Sequence, residues 1–283
     1  MSENIRNLVG VHFGFDVNRY HALPGASSSI LRKLWQSTPL HLKAMMDEPV
    51  EPSPAMVLGT IGHAIALSEP LPKLITYPET YDSEDGKKKW SNNAKACKAW
   101  TAARKAEGLI PCTQETLDNA YGAAAALARH EIAGPILQVC KTEVTLITWD
   151  ETNDIAVRCR LDIVPHMPFL ADCKFSHTVN ADDWAKHAWN SGYHIQAALY
   201  QWVWNEMAGA EEPKEGFKYL CVESKPPHDV RVFSCTDELI RKGREEIIRL
   251  LPVYAKCVKE NLWPGSPAVE AKLDLPKWVN KND

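Results

Sequence analysis

The sequence has no pair of cysteines in C-x-x-C spacing. Its eight cysteines (Cys97, Cys112, Cys140, Cys159, Cys173, Cys221, Cys235 and Cys257) are scattered along the chain. That excludes a zinc ribbon and an iron–sulfur cluster, whose ligands come in close pairs. There is no Walker loop, G-x-G-x-x-G, H-E-x-x-H or G-x-S-x-G, so the P-loop, dinucleotide, zincin and α/β-hydrolase classes lack their marks. No apolar run reaches the ~20 residues of a membrane span. MSENIRNLVG lacks the charged-then-apolar order of a signal peptide, so a cytoplasmic protein with buried, reduced thiols and no membrane contact is expected. Basic charge is not in excess either, the formal net charge being −4. Any contact with nucleic acid must therefore rest on positive potential gathered locally, with metal ions offsetting an acidic site. No repeat or low-complexity segment divides the 283 residues, and a content of 45% hydrophobic and 24% charged residues is that of a globular protein with a sizeable core.

What is present centres on RCRLDIVPHMPFLADCK, residues 158–174. Two short apolar, β-branched runs flank a bend at Pro165 and Pro168, and the spacing predicts a hairpin of strands 156–164 and 169–175. Strand side chains alternate faces, so Asp172 and Lys174 share one side and Cys173 takes the other. Asp162, late on the first strand, is placed to converge on the same spot. Two carboxylates and an ammonium on one patch are costly to bury uncompensated. A hard divalent cation with carboxylate, water and phosphate ligands is a natural partner, and the chemistry it suits is phosphodiester hydrolysis. A surface ion pair at a hairpin end would use the same three residues.

In chain order, residues 1–26 read as irregular. Ser27, Ser28 and Ser29 offer an N-cap for a helix to Gln36, or a hydroxyl for a phosphate beside free amides. Pro39 opens a helix to Asp47, and Glu48–Pro54 is a proline-rich connector. The helix 56–69 places Gly59 and His63 on one face, four apart; a small residue there lets another element approach closely. His63 is either a satisfied core imidazole or a metal ligand. Residues 70–86 read as loop, and Lys87-Lys88-Lys89-Trp90 as the start of a lysine-bearing helix to Glu107, suited to phosphate contact and base stacking or else a solvated face. An alanine-rich helix covers 113–130. A strand at 142–149 carries Glu143, an auxiliary acid or an exposed strand residue. Helices at 180–189 and 193–207 follow, the second placing Gln196 and Tyr200 on one face, where they orient a reacting group or simply pack. Strands at 217–223 and 229–235, a helix at 236–261 and a proline-broken tail complete the reading.

Gly59-x-x-x-His63, Asp162, Asp172-x-Lys174 and Gln196-x-x-x-Tyr200, in that order, resemble the PD-(D/E)xK nuclease superfamily in its RecB-like branch. The resemblance is nearer still to the catalytic domain of exodeoxyribonuclease VIII, the RecE-like phage and prophage exonucleases. It is carried also by YHALPGASSSIL (20–31), LGTIGHAIALSEP (58–70), RCRLDIV (158–164), ADCKFS (171–176), YHIQAALY (193–200) and the WPG…LPKW tail (263–278).

The resemblance implies an α/β, restriction-endonuclease-like core: a central mixed sheet flanked by helices, with a helical N-terminal part. One domain spans 1–283, with the helical part at 1–135, the nuclease core at 136–262 and a docking tail at 263–283. Asp162, Asp172 and His63 would ligate Mg²⁺, or Mn²⁺ in its place, with the Cys173 carbonyl contributing. Lys174 would activate or orient water, as base or as fixed positive donor, with Gln196 and Tyr200 in support. Asp172 stands where many relatives have Glu. Ser29 and Arg160 are candidate phosphate contacts. The activity implied is Mg²⁺-dependent degradation of linear double-stranded DNA from its ends, 5′→3′, leaving 3′ single strands for a single-strand annealing partner in recombination. A homo-oligomeric ring, trimer or tetramer, would thread the DNA. An endonuclease or single-strand nuclease on this fold, or a non-catalytic DNA-end-binding protein, are the alternatives.

Overall fold

Alternating apolar residues between 140 and 176 build adjacent strands, and the helices around them supply the cover. The computed structural model describes residues 4–48, 51–209 and 211–274. In chain order a 3-10 turn (Ile5–Leu8), β1 (Gly10–His12) and α1 (Val17–Ala22) lead to α2 (Ser28–Gln36), α3 (Pro39–Asp47) and α4 (Pro54–Ala66). Next come β2 (Leu74–Thr76), β3 (Thr80–Ser83), β4 (Gly86–Lys89), α5 (Lys95–Ala106), β5 (Ile110–Cys112), α6 (Gln114–Arg129) and α7 (Ala133–Gln138). The middle is β6 (Cys140–Asp150), β7 (Ile155–Pro165) and β8 (Phe169–Ser176), followed by α8 (Ala181–Asn190), α9 (Tyr193–Met207), β9 (Gly216–Glu223), β10 (Val230–Ser234) and α10 (Asp237–Glu260).

The main sheet has the order β1-β6-β7-β8-β9-β10. Its ladders are antiparallel except for β8 against β9, which run parallel. The reason is the connection: α8 and α9 form a crossover between those two strands, and a parallel neighbour needs one. The fold is thus α/β, with a mixed central sheet flanked by helices. On one face Leu146, Cys159, Leu161 and Leu170 pack under α2, α9 and α10. On the other, Ile163, Ala171, Cys173 and Leu220 pack under residues of α6 and α7 such as Ala123, Leu127 and Ile136. α9 is buried nearly all round, from His194 to Trp204, as its apolar sequence dictates.

Four expectations need correction. Residues 17–22 are helical, capped by the Asp16 side chain on Arg19 N–H at 2.7 Å, and Gly10–His12 adds an edge strand to β6. Residues 70–86 are not all loop, since they contain β2 and β3. Lys87–Lys89 form the second strand of a hairpin, not a helix start. The two-residue turn before them is Glu84-Asp85, and Gly86, at φ +104°, opens the second strand opposite Ser83. The helix begins only at Lys95. At the other end, Trp263 packs against Tyr254 with ring centroids 6.2 Å apart, and the Pro264 carbonyl accepts from Leu40 N–H. The LPKW of the tail, 275–278, lies outside the described residues, as do 49–50 of the connector.

Candidate active site

The site starts from a break in the alternation of β7. Leu161 and Val164, three apart, both face the first core, while Ile163 faces the second. Strict alternation forbids this, so the strand changes the faces of its side chains at Asp162. Across the ladder, Thr142 pairs with Ile163 and Val144 with Leu161, but Glu143 between them sits at φ +52° and drops out. The register is the same on either side, so no residue is inserted; the left-handed backbone at Glu143 opens the ladder opposite Asp162. The pairing of β7 with β8 is anchored at Ile163↔Ala171. Beyond it, the Cys173 N–H donates to Asp162 Oδ2 at 3.3 Å.

On β8 the alternation is regular. Ala171 and Cys173 face the second core, and Asp172 and Lys174 stand in register with Tyr219 and Cys221 on the other side. The Asp172 side chain is 1% exposed; its Oδ2 is ion-paired with Lys174 Nζ. Its Oδ1 accepts from Gln196 Nε2 at 2.7 Å. Lys174 Nζ also lies 4.9 Å from the centre of the Tyr193 ring, a cation–π contact. His63 reaches in from α4, Nδ1 3.2 Å from Asp162 Oδ2. α4 seats against β8 at Gly62, where a Cβ would collide with the Phe175 ring, whereas Gly59 faces open space. The close approach expected at Gly59 is therefore made by Gly62, one residue before the histidine.

The four charged groups set one another's protonation. Burial and the Asp162 charge push Asp172 up to about 6. Burial acts on Asp162 in the same sense, but His63, Lys174 and the Cys173 N–H outweigh it and hold its pKa below the usual range. His63 and Lys174 are both raised: burial opposes their charge, and the Asp162 and Asp172 carboxylates overcome it. Among the described residues no three His, Cys, Asp or Glu side chains form a ready metal cluster, because the imidazole and the ammonium themselves rest on the carboxylates. The donor set nevertheless fits a hard divalent cation. It offers a buried and a half-buried carboxylate, Asp172 and Asp162, with the charge of the second acting on the first, and Gln196 Oε1 is buried without a hydrogen-bond partner among the described residues.

The model of the PDDEXK-like domain of unknown function (DUF3799) matches residues 27–270. The chain belongs to this family. Among solved structures, a candidate exonuclease from Eubacterium rectale is similar, with a TM-score of 0.60 at 14% identity, covering 94% of this chain and 96% of that one; the likeness is one of fold. A second, SSO0001, covers 53% of this chain and 68% of its own at 13% identity, with a TM-score of 0.27. No curated protein matches.

Within this PDDEXK-like chain, His63, Asp162, Asp172, Lys174 and Gln196 are brought together. Tyr200, a turn beyond Gln196, is buried; its hydroxyl meets Ser28 Oγ at 3.4 Å, and burial raises its pKa well above the ordinary value. The Cys173 thiol is buried in the second core, so only its backbone adjoins the carboxylates. Arg160 is ion-paired with Glu143 and donates to the Phe15 carbonyl and Thr145 hydroxyl, at 2.9 and 3.1 Å; it holds Glu143 where the ladder opens. Ser29 is exposed at the start of α2, its hydroxyl 3.0 Å from that of Ser27. Glu143 lies close enough for Asp162 to raise its pKa, after burial. Sequence reasoning missed Gly62, Phe175 and Tyr193. Gly62 alone carried a signal, a second glycine in the G-T-I-G-H run.

Proposed function

We propose that the chain is a metal-dependent nuclease that degrades linear double-stranded DNA from its ends, 5′→3′, in the manner of RecE-like exonucleases, leaving 3′ single strands for an annealing partner. One observation carries this reading. An imidazole from α4, two carboxylates from a hairpin and a lysine two residues after the second converge on one patch of sheet. The family and the fold support it. Asp162, Asp172, His63 and the Cys173 carbonyl would hold Mg²⁺ or Mn²⁺; when bound, such an ion supplies Lewis-acid charge at a phosphate oxygen and lowers the pKa of a water.

The chain's own residues do the positioning. Gln196 fixes the Asp172 carboxylate through Oδ1. Lys174, its pKa raised by Asp172, is a fixed cation aimed at negative charge developing on phosphate. The helical front and the strand-rich middle act as one unit, since His63 comes from the first and both aspartates from the second. A homo-oligomeric ring enclosing DNA would reconcile processive action with a net charge of −4, and mass in solution tests it: only monomer at working concentration ends that part. The activity is tested on end-labelled linear duplex with and without Mg²⁺, beside closed circular duplex. Release from linear ends only, lost in Asp172→Ala and Lys174→Ala, is expected; cutting of the circle, or loss-free variants, refutes it.

A further inference from the structure

Residues 86–105, GKKKWSNNAKACKAWTAARK, hold seven of the chain's 32 basic residues and none of its 36 acidic ones, in a chain whose remainder is strongly acidic. They form β4 and α5, part of a small module hung on α4 and α6. β5 closes that module, and Cys112 packs with Leu58 and Ile61 of the histidine-bearing helix. The module has its own aromatic centre: Tyr77, Trp90 and Trp100, with ring centroids 5.2 to 6.0 Å apart. Three rings packed on one another hold the hairpin and helix as a rigid body. Lys88 and Lys105 are paired with Asp85 and Glu51. Lys87, Lys89, Lys95 and Lys98 are exposed and make no ion pair among the described residues.

A groove, a run of overlapping cavities, joins this module to the end of β8. A cavity of about 660 Å³ is lined by Phe175, Ser176 and His177, immediately past Lys174, and by the start of α4. It shares Pro54, Thr113 and Thr116 with a second cavity of about 510 Å³. The second shares Tyr77, Asn92 and Lys105 with a third, of about 240 Å³, which Lys98 also lines. Cavities of such volume admit a ligand or an extended chain, not a duplex.

We propose that this groove carries a single strand of DNA away from the candidate active site, with the β4–α5 lysines gripping its phosphates. The inference rests on the nuclease reading for the identity of the strand. Charge complementarity argues for a polyanion: four unpaired ammonium groups lie on an otherwise acidic protein, one of them, Lys98, lines the run of cavities, and its far end is walled by the residues that follow Lys174. Tyr77 on the groove wall offers a face for a base, and backbone charge plus aromatic faces is how strands are held without sequence preference.

The test measures anisotropy of a labelled oligothymidylate of about 20 nucleotides, titrated with the full chain in EDTA across a salt series. Replacing Lys87, Lys89, Lys95 and Lys98 together by Gln is expected to weaken binding roughly tenfold or more. It is also expected to flatten the slope of log affinity against log salt by about 3, at about 0.7 per phosphate. The matching Lys→Arg variant is expected to retain both. Wild-type affinity and slope in the Gln variant, equal loss in the Arg variant, or no binding by the wild type would overturn the proposal. Hydrolysis assayed on the same proteins separates the two readings: lysine-dependent binding without any Mg²⁺-dependent hydrolysis refutes the activity and leaves the groove.

Discussion

Gly62→Ala isolates the contact that holds His63 over the sheet. A Cβ at position 62 would stand 2.5 Å from Phe175 Cζ and closer still to Cε1, a distance no real pair of carbons tolerates. Two effects compete. Replacing a glycine inside a helix by alanine stabilises by about 1 kcal/mol, whereas forcing a methyl group into a packed contact costs about 1–3 kcal/mol. Gly59, in the same helix, has nothing within 4 Å of the same hypothetical atom, so Gly59→Ala takes the gain without the collision. The propensity term is common to both variants, and their difference, about 1–3 kcal/mol, contains only the Phe175 contact. Urea unfolding in EDTA reads this as separated midpoints at equal slope. The collision is relieved by lifting α4, which carries His63 from its position 3.2 Å from Asp162. A displacement near 1 Å costs roughly a hundredfold in rate, so Gly62→Ala should lose most Mg²⁺-dependent hydrolysis and Gly59→Ala should keep it. Equal gains in stability from both substitutions would falsify the seating of α4 on Phe175, and with it the reason His63 stands where it does.

Three further expectations follow from the same geometry. Asp172 binds its proton more tightly folded than unfolded, its pKa lying near 6 against an ordinary value of about 3.9. Its contribution to metal-free stability therefore falls as pH rises through that window, by up to about 3 kcal/mol; Asp172→Asn should remove this slope in denaturation curves at pH 4 to 7, and an unchanged slope contradicts the burial and like-charge origin of the shift. The His63 imidazole must be neutral to ligate a metal, and Asp162 raises its pKa above the ordinary value against the effect of burial. Mg²⁺-induced stabilisation should thus grow as pH climbs beyond about 6.5, and in His63→Gln that growth should vanish from thermal-shift data. Lys214 is 1% exposed and its ammonium caps the bend between β7 and β8, bonding the Pro165 and Met167 carbonyls at 2.5 and 2.9 Å and Glu212 at 2.8 Å. Lys214→Met strands two carbonyls and should cost about 2–4 kcal/mol; a calorimetric melt with no loss of stability refutes that role.

Much of this molecule was legible in the order of its residues because the signals were local. Period-two runs gave β6, β7 and β8, Pro39 and Ser27 marked helix starts, and the 193–207 helix follows from its apolar sequence with its limits unchanged. Alternation alone put Asp172 and Lys174 on one face and Cys173 on the other. The misreadings had local causes too: three lysines before a tryptophan look like a polar helix until the Glu84-Asp85 turn and the glycine after it are weighed, and short strands such as β2 and β5 are too brief to show a period.

The sequence by itself determined which residue types are available for hard-cation chemistry and at what spacing along each element, because side-chain direction is set by the backbone period. Only the tertiary structure decided that they meet. The break in the β6–β7 ladder beside Asp162, the glycine that lets α4 close on Phe175, and the groove that runs from the end of β8 to Lys98 of α5 all depend on contacts between segments far apart in the chain. Such contacts leave no periodic trace, since a single left-handed residue or a missing Cβ matters only when a second surface arrives against it.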